Sequence, residues 1–230
     1  MTGPLTPFEI EALALSLRVA LVSLLLTLPA GLGLAMLLAR GRFAGKWLLE
    51  AAVNLPLVLP PVVTGLLLLM LLGARGPVGG WLRETFGITL AFHWTGAALA
   101  AAIMALPLVV RPIRLAIEAI DQGLEQAAAT LGAPPWRVFL TITLPLALPG
   151  LVAGALLGFA RAFGEFGATV TFAGAIPGET QTLPTAIYLS LQRADGDPAA
   201  LRLALLAVAV SVAALLATEA FNRHLQRGRS

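Results

Sequence analysis

Five stretches of apolar residues run along this chain, and each is long enough to cross a lipid bilayer. A helix needs about 20 consecutive apolar residues to span the hydrocarbon core. Only 12% of the 230 residues are charged, roughly half the share in a soluble domain, and the mean hydropathy is +0.90. The sequence therefore predicts an all-α integral membrane protein with about five transmembrane helices. We expect residues 1–230 to form a single transmembrane domain, with lipid as its solvent and spans at about 10–39, 47–73, 94–112, 141–163 and 201–221.

The positive charges lie at the ends of these stretches, so they predict an orientation. Cytoplasmic loops carry an excess of Lys and Arg. On one side we count Arg40, Arg42, Lys46, Arg111, Arg114, Arg137, Arg223, Arg227 and Arg229, against Arg75, Arg83, Arg161, Arg193 and Arg202 on the other. This bias places the N-terminus outside and the C-terminus in the cytoplasm. Because residues 1–9 contain no Lys or Arg, we expect the first stretch to be a retained span rather than a cleaved signal.

Residues 164–200, on the predicted outer side, form an unusual segment. It is moderately apolar, rich in Gly and Thr, and interrupted by Pro177 and Pro184. Irregular backbone is tolerated at membrane depth only inside protein or against water. One interpretation is a partly re-entrant segment at the outer mouth of a pathway. The other is a folded external loop that covers the bundle.

A loop at about 115–145, on the predicted cytoplasmic side, has the pattern of two helices joined by a turn. Apolar residues recur at helical spacing over 115–131, and Gly132 then suits a helix C-terminus. Pro134 and Pro135 permit a new helix to begin, and Trp136 follows. Spacing alone leaves two interpretations open. The loop is either a docking surface for another protein or an amphipathic connector that rests on lipid headgroups.

The same loop resembles the "EAA" loop of permease subunits of ATP-binding-cassette importers. The resemblance lies in Gln126-Ala127-Ala128, Gly132 and the run Ile142-Thr143-Leu144-Pro145, at the family's spacing. The family's glutamate is replaced by Gln126, with Glu125 just before it. The resemblance implies a type I ABC importer permease fold whose cytoplasmic coupling helix docks on a separate ATPase. The coupling residues would be Glu125, Gln126, Ala127, Ala128, Gly132 and Trp136.

A second resemblance concerns the substrate. The run from Phe159 to Pro184, with its Gly-Glu-Phe-Gly-Ala-Thr and Thr-Gln-Thr-Leu-Pro portions, is similar to molybdate permeases, and sulfate and thiosulfate permeases share part of it. This implies a pathway for molybdate or tungstate in a bacterial or archaeal inner membrane. The alternatives are a sulfate or thiosulfate permease subunit, an ATP-independent channel or carrier, and a membrane scaffold.

The implied partners are a second copy of the chain, two ATPase subunits and an extracytoplasmic molybdate-binding protein, with no nucleic acid. The chain has no Gly-x4-Gly-Lys-Ser/Thr phosphate loop, so ATP and Mg would be held by the partner ATPase. No arrangement of side chains suggests catalysis, and we expect no cofactor in this chain. The chain has no cysteine, and His93 and His224 lack further ligands at metal spacing. We therefore predict no metal site and interpret both histidines as interfacial.

Several residues within the spans are candidates for function or packing. Arg161 and Glu165 are four apart and could share a helix face. They either form a fixed brace or line the pathway, with Thr169 as a further pathway or gate candidate. Arg18, alone in the first span, is either a packing or snorkelling charge or a pathway residue. A stripe of small residues, which would let helices approach closely, consists of Gly150, Gly154 and Gly158.

Overall fold

The structure, a computed structural model, describes the backbone of residues 5–227 and side chains as far as residue 220. The side chains of Arg223, His224, Arg227 and Arg229 therefore lie outside the described residues. Every regular element within the described range is helical. In chain order the helices are α1 Pro7–Arg40, α2 Lys46–Val58, α3 Pro61–Leu72, α4 Pro77–Phe86, α5 Trp94–Glu118, α6 Gln122–Thr130, α7 Pro135–Val138, α8 Leu144–Phe163, α9 Gly167–Phe172, α10 Leu183–Leu191 and α11 Asp197–Arg227.

Four helical stretches are long and apolar enough to cross a membrane. They are Pro7–Arg40, Trp94–Glu118, Pro135–Phe163 and Asp197–Ala220. The third of these combines α7, a π-helical segment Phe139–Thr143, and α8. The 34 residues of α1 rise about 50 Å, more than the roughly 30 Å of a hydrocarbon core. Its ends therefore extend beyond the apolar layer.

The stretch at 47–73 is divided between α2 and α3, which meet at an angle of 115°. Leu59 is extended, with φ −71° and ψ 139°, because a residue that precedes a proline is pushed out of the helical region. Pro60 and Pro61 also lack the N–H groups that would continue the helix. The second span predicted from the sequence is therefore a broken pair of short helices.

The helical pattern over 115–131 is also divided, so the prediction of one continuous helix there was wrong. Helix α5 ends at Glu118, and α6 begins after Asp121, whose carboxylate oxygen accepts a hydrogen bond of 2.8 Å from the Gly123 N–H. An aspartate in this position satisfies a free N–H at the start of a helix. The short break makes α6 a helix separate from α5.

Helix α5 is the centre of the bundle. In its most apolar window 67% of residues are buried, against 11% in α11. It runs parallel to α1, since Ser23 donates a 2.7 Å hydrogen bond to the Ala98 carbonyl near one end and Arg40 reaches the Ile120 carbonyl, at 3.3 Å, near the other. The two helices therefore pack side by side along most of the length of α5.

Helix α8 runs antiparallel to α5, and the glycine stripe forms their interface. A Cβ atom at Gly150 would lie 2.6 Å from the Pro112 carbonyl oxygen, and one at Gly158 would lie 2.5 Å from a Val109 methyl group. Gly154 faces the Val109 carbonyl oxygen in the same way, at 2.9 Å. The absence of a side chain at these three positions of α8 lets the two backbones approach closely. The stripe therefore packs within this subunit.

Candidate functional site

The turn that ends α6 has hydrogen bonds typical of a Schellman motif. The Gly132 N–H donates to the Ala129 carbonyl at 3.0 Å, and the Ala133 N–H donates to the Ala128 carbonyl at 3.1 Å. Gly132 has φ +85°, a conformation in which glycine avoids the strain that a Cβ would cause. Helix α7 then begins at Pro135. The sequence prediction of helix, glycine turn and helix matches this geometry.

Residues 122–136 are the outer part of the loop predicted at about 115–145. We call this part the coupling loop, and it presents apolar side chains to the surroundings. Leu131 is 88% exposed, Trp136 is 66% exposed and Leu124 is 51% exposed. Gln126 and Ala127 are also exposed, while Ala128 is half-buried. Large apolar side chains that remain exposed together often mark an interaction surface. Leu124 and Leu131 belong to the apolar residues at helical spacing over 115–131, and that spacing alone does not predict their exposure.

Glu125 differs from the other predicted coupling residues because its carboxylate turns toward the membrane helices. One carboxylate oxygen accepts a 2.7 Å hydrogen bond from the Thr143 hydroxyl, and the other lies 3.2 Å from Nε of Arg40. Thr143 is buried at the end of the π-helical segment. Such segments frequently occur at functional positions. The contacts of Arg40 and Thr143 with Glu125 were not predicted from the sequence, in which Arg40 is one of the charges that flank a span.

A second charged cluster joins α2 to α5 at the same end of the molecule. Arg114 pairs with Glu50 and, at 2.7 Å, with Glu118. Nearby, the Arg111 guanidinium donates a 3.0 Å hydrogen bond to the Asn54 side chain. Together with the Arg40 contacts, these pairs anchor the ends of α1, α2 and α5 beside the coupling loop.

Arg161 and Glu165 form an ion pair, but they do not share a helix face. Helix α8 ends at Phe163, and Glu165 lies in the connection to α9. The Glu165 side chain is 1% exposed and that of Arg161 is 24% exposed. A second Glu165 oxygen accepts a 2.8 Å hydrogen bond from the Ala168 N–H. The carboxylate therefore joins the end of α8 to the start of α9.

The Gly- and Thr-rich segment is folded against the bundle, with its polar side chains directed inward. Thr180 and Thr185 are fully buried, and Thr182 is 3% exposed. The Thr180 hydroxyl accepts a 2.9 Å hydrogen bond from the Ile176 N–H, and Ser16 on α1 accepts one of 2.6 Å from the Leu183 N–H. These contacts satisfy backbone groups of irregular structure, which must be paired when they are buried in a membrane protein. A re-entrant segment and a folded external loop that covers the bundle would both be buried in this way, so both interpretations stay predictions.

Thr169, the third pathway candidate, lies on α9 and is 1% exposed. Helix α9 packs closely on α3, where a Cβ atom at Gly65 would lie 2.7 Å from the Ala168 carbonyl oxygen. Within the part of the chain that the structure describes, the hydroxyls of Thr169 and Thr64 have no hydrogen-bond partner. In this conformation Thr169 faces the protein interior rather than an open channel.

At the end of the bundle opposite the coupling loop, charged residues connect α1 to neighbouring helices. Arg18 lies over the Trp94 ring, 3.7 Å from the ring centre, which is a favourable cation–π arrangement. Buried Glu9 pairs with Arg202 at 2.9 Å, joining the start of α1 to the start of α11. His93 caps α5 and lies 3.1 Å from a Glu179 oxygen. Among the described residues, no group of three or more His, Cys, Asp or Glu side chains could hold a metal ion.

Comparison with known proteins identifies the family to which this chain belongs. Residues 27–228 match the family described as the binding-protein-dependent transport system inner membrane component. The chain belongs to this family. It is therefore a multi-pass inner-membrane component of a transport system.

Relatives and solved structures agree with this assignment. The chain is 54% identical over 215 residues to the molybdenum transport system permease protein ModB of Escherichia coli strain K12, covering 94% of each chain. It is 37% identical to the sulfate transport system permease protein CysT of the same strain, covering 96% of this chain and 79% of CysT. A bacterial alginate ABC transporter, solved in complex with a periplasmic protein that holds an alginate pentasaccharide, superposes with a TM-score of 0.75 at 20% identity. That superposition covers 96% of this chain and 80% of the other. At this identity the likeness establishes the fold, which is that of a type I ABC importer permease.

Proposed function

We propose that this chain is the permease subunit of an ATP-driven molybdate importer. It works as a homodimer whose pathway lies between the two copies, with an extracytoplasmic molybdate-binding protein and two ATPase subunits. The observation that carries this proposal is the 54% identity to ModB over 94% of both chains. The identity of 37% to the sulfate permease makes sulfate the second candidate.

The exposed coupling loop supports the assignment of a separate ATPase. Leu131, Trp136 and Ala127 form an uncovered surface at the end of the bundle where Arg40 and Arg114 lie. Positive charges concentrate on cytoplasmic loops, and ATP is available on that side. ATP and Mg would bind to the ATPase subunits, and this chain would contribute movement of its helices.

The substrate can be tested by reconstituting the permease, its ATPase and its binding protein in proteoliposomes. The expected result is uptake of labelled molybdate that requires ATP at the ATPase face and that excess tungstate inhibits more strongly than excess sulfate. Stronger inhibition by sulfate would move the assignment to the sulfate class. Uptake without ATP would indicate a channel or carrier, and no uptake of any oxyanion by an assembled complex would indicate a scaffold.

The docking surface can be tested with two leucines that are both exposed. Leu131→Ala removes an apolar side chain from the coupling loop, while Leu25→Ala removes one from α1, where it is 73% exposed. A residue that acts as a hot spot of an interface is worth about 2 kcal/mol, or roughly 30-fold in affinity. Leu131→Ala should weaken ATPase binding by about that factor, and Leu25→Ala should leave it unchanged. Equal effects of the two changes would show that the loop is not the contact.

A further inference from the structure

The side chains of Arg40, Glu125 and Thr143 form a cluster that we call the clasp. Glu125 lies on α6, Arg40 is the last residue of α1, and Thr143 immediately precedes α8. The carboxylate accepts from the Thr143 hydroxyl at 2.7 Å and pairs with Arg40 at 3.2 Å. Arg40 also donates a 3.3 Å hydrogen bond to the Ile120 carbonyl in the break before α6. One carboxylate therefore connects the coupling helix to two long membrane helices.

The coupling helix has little other attachment to the bundle. None of the described residues of α6 is buried. Before α6 begins, the backbone between Ala119 and Asp121 is not part of a helix. After α6 ends, Gly132 adopts a left-handed conformation. Both points are places where a short helix can rotate relative to its neighbours. Without a side-chain link, much of a push on α6 would be absorbed there instead of moving the long helices.

The clasp is held by one hydrogen bond and one ion pair. The hydrogen bond from Thr143 has a charged acceptor, and such bonds are about twice as strong as neutral ones. The contact with Arg40 is an ion pair, because among the described residues Nε of Arg40 makes no hydrogen bond. The side chains of Arg40 and Glu125 are each only 20% exposed, so water screens the pair less than it would on an open surface. The hydroxyl partner is buried and holds the second carboxylate oxygen. These contacts fix the direction of Glu125 away from the exposed face of the loop.

We propose that the clasp is the mechanical connection through which movement of the docked ATPase reaches α1 and α8. Glu125 is then a positioning residue, and the ATPase contacts only the outer face of the coupling loop. This inference rests on the proposed function, because it requires an ATPase that displaces α6. It also separates two roles that the EAA resemblance assigns together: Gln126 and Ala127 face the partner, while Glu125 faces the bundle.

The first experiment uses the complete reconstituted transporter and labelled molybdate. It measures how many molybdate ions are transported for each ATP that is hydrolysed. Glu125→Gln keeps the size of the side chain but removes the charge, and Glu84→Gln makes the same change at an exposed residue of α4. Glu125→Gln should lower the transport ratio several-fold while the ATPase still copurifies and hydrolyses ATP. Arg40→Gln should do the same, and Arg40→Lys should restore most of the ratio because it keeps the ion pair.

Two outcomes would overturn the proposal. An unchanged ratio in Glu125→Gln and Arg40→Gln would show that the clasp transmits nothing. Loss of ATPase copurification in Glu125→Gln, with a normal Glu84→Gln control, would show that Glu125 contacts the ATPase instead.

The second experiment does not depend on the transported substrate or on the ATPase. Spin labels at Gly33→Cys on α1 and Ala129→Cys on α6 can be introduced into this cysteine-free chain. A side chain at Gly33 would have open space, and Ala129 is exposed. The distance distribution between the labels should be narrow in the otherwise unchanged full-length permease and should broaden with Glu125→Gln but not with Glu84→Gln. A distribution that stays narrow would refute the clasp even if the proposed substrate proves correct, whereas broadening would support it even if that substrate is wrong.

Discussion

The coupling loop and the Gly- and Thr-rich segment use their side chains in opposite ways. In the loop, α6 buries none of its residues, and Leu131 and Trp136 are largely exposed. In the segment, the polar residues Thr180 and Thr185 are fully buried. Apolar side chains therefore lie outside in one region, and polar side chains lie inside in the other.

The difference follows from what each backbone needs. The loop consists of short helices whose N–H and C=O groups are largely paired within the helices and at the Gly132 turn, so its side chains are free to face a partner. The segment between Phe172 and Leu183 is irregular, and its backbone groups need partners from elsewhere. The hydroxyls of Thr180 and Ser16 provide them. In the loop the exposed apolar side chains are available for contact with another molecule, whereas in the segment the buried hydroxyls of Thr180 and Ser16 pair with irregular backbone.

The largest effect is expected from the buried ion pair of the segment. Removing one partner of a buried pair typically costs about 3–5 kcal/mol, because it leaves an unmatched charge. Arg161→Gln should therefore sharply reduce the yield of folded protein, and Glu165→Gln should also reduce it. The double change should recover much of the loss, as measured by size-exclusion chromatography in detergent. Normal yields in both single variants, together with reduced transport by Arg161→Gln, would instead favour a pathway role.

A smaller loss of stability is expected at Ser16, which supports the segment from α1. Ser16→Ala leaves the buried Leu183 N–H without its acceptor, which costs about 1–3 kcal/mol. The variant should show a lower thermal unfolding midpoint in detergent. Ser211→Ala is the matched control, because that serine is exposed and its hydroxyl donates to the Ala207 carbonyl of its own helix α11. Equal midpoints for the two variants would contradict the support role.

In the coupling loop, Gly132→Val should impair the ATPase interaction more than it impairs folding. A β-branched residue in the left-handed conformation of Gly132 costs about 1–2 kcal/mol, but the turn is exposed and can distort without opening the bundle. The expected result is normal yield of the permease with weaker copurification of the ATPase. Gly33→Ala is the control, since a Cβ there meets no atom within 4 Å. If Gly132→Val binds the ATPase as well as the control does, the turn is not required for docking.

The smallest effect on the protein is expected from single cysteines that report the side of the membrane on which each region lies. Ala129→Cys in the loop and Asp195→Cys after α10 replace exposed residues, so neither should alter stability. An impermeant thiol reagent added to intact cells should label Asp195→Cys but not Ala129→Cys, and inverted vesicles should reverse the pattern. The opposite labelling in intact cells would overturn the orientation predicted from the positive charges.

Much of the architecture could be predicted because it depends on local composition. Apolar length identified the stretches that became α1, α5, α8 and α11, since a helix is the structure that satisfies its own backbone in lipid. The turn at Gly132 and the new helix at Pro135 follow from the preferences of those two residue types. The spacing of Gly132 and Pro145 in the EAA resemblance also pointed to the transport family that the comparisons confirmed.

The tertiary structure alone decided which charged and polar residues meet. Glu9 and Arg202 pair across 193 residues, and Ser16 and Leu183 across 167, separations at which no sequence period carries information. The inward direction of Glu125 likewise depends on the position of Arg40 at the end of α1. Local sequence preferences act over a turn or two of chain, whereas these contacts are set by how the long helices pack. Apolar length therefore determined which segments become helices, and helix packing determined which of their polar groups form the sites.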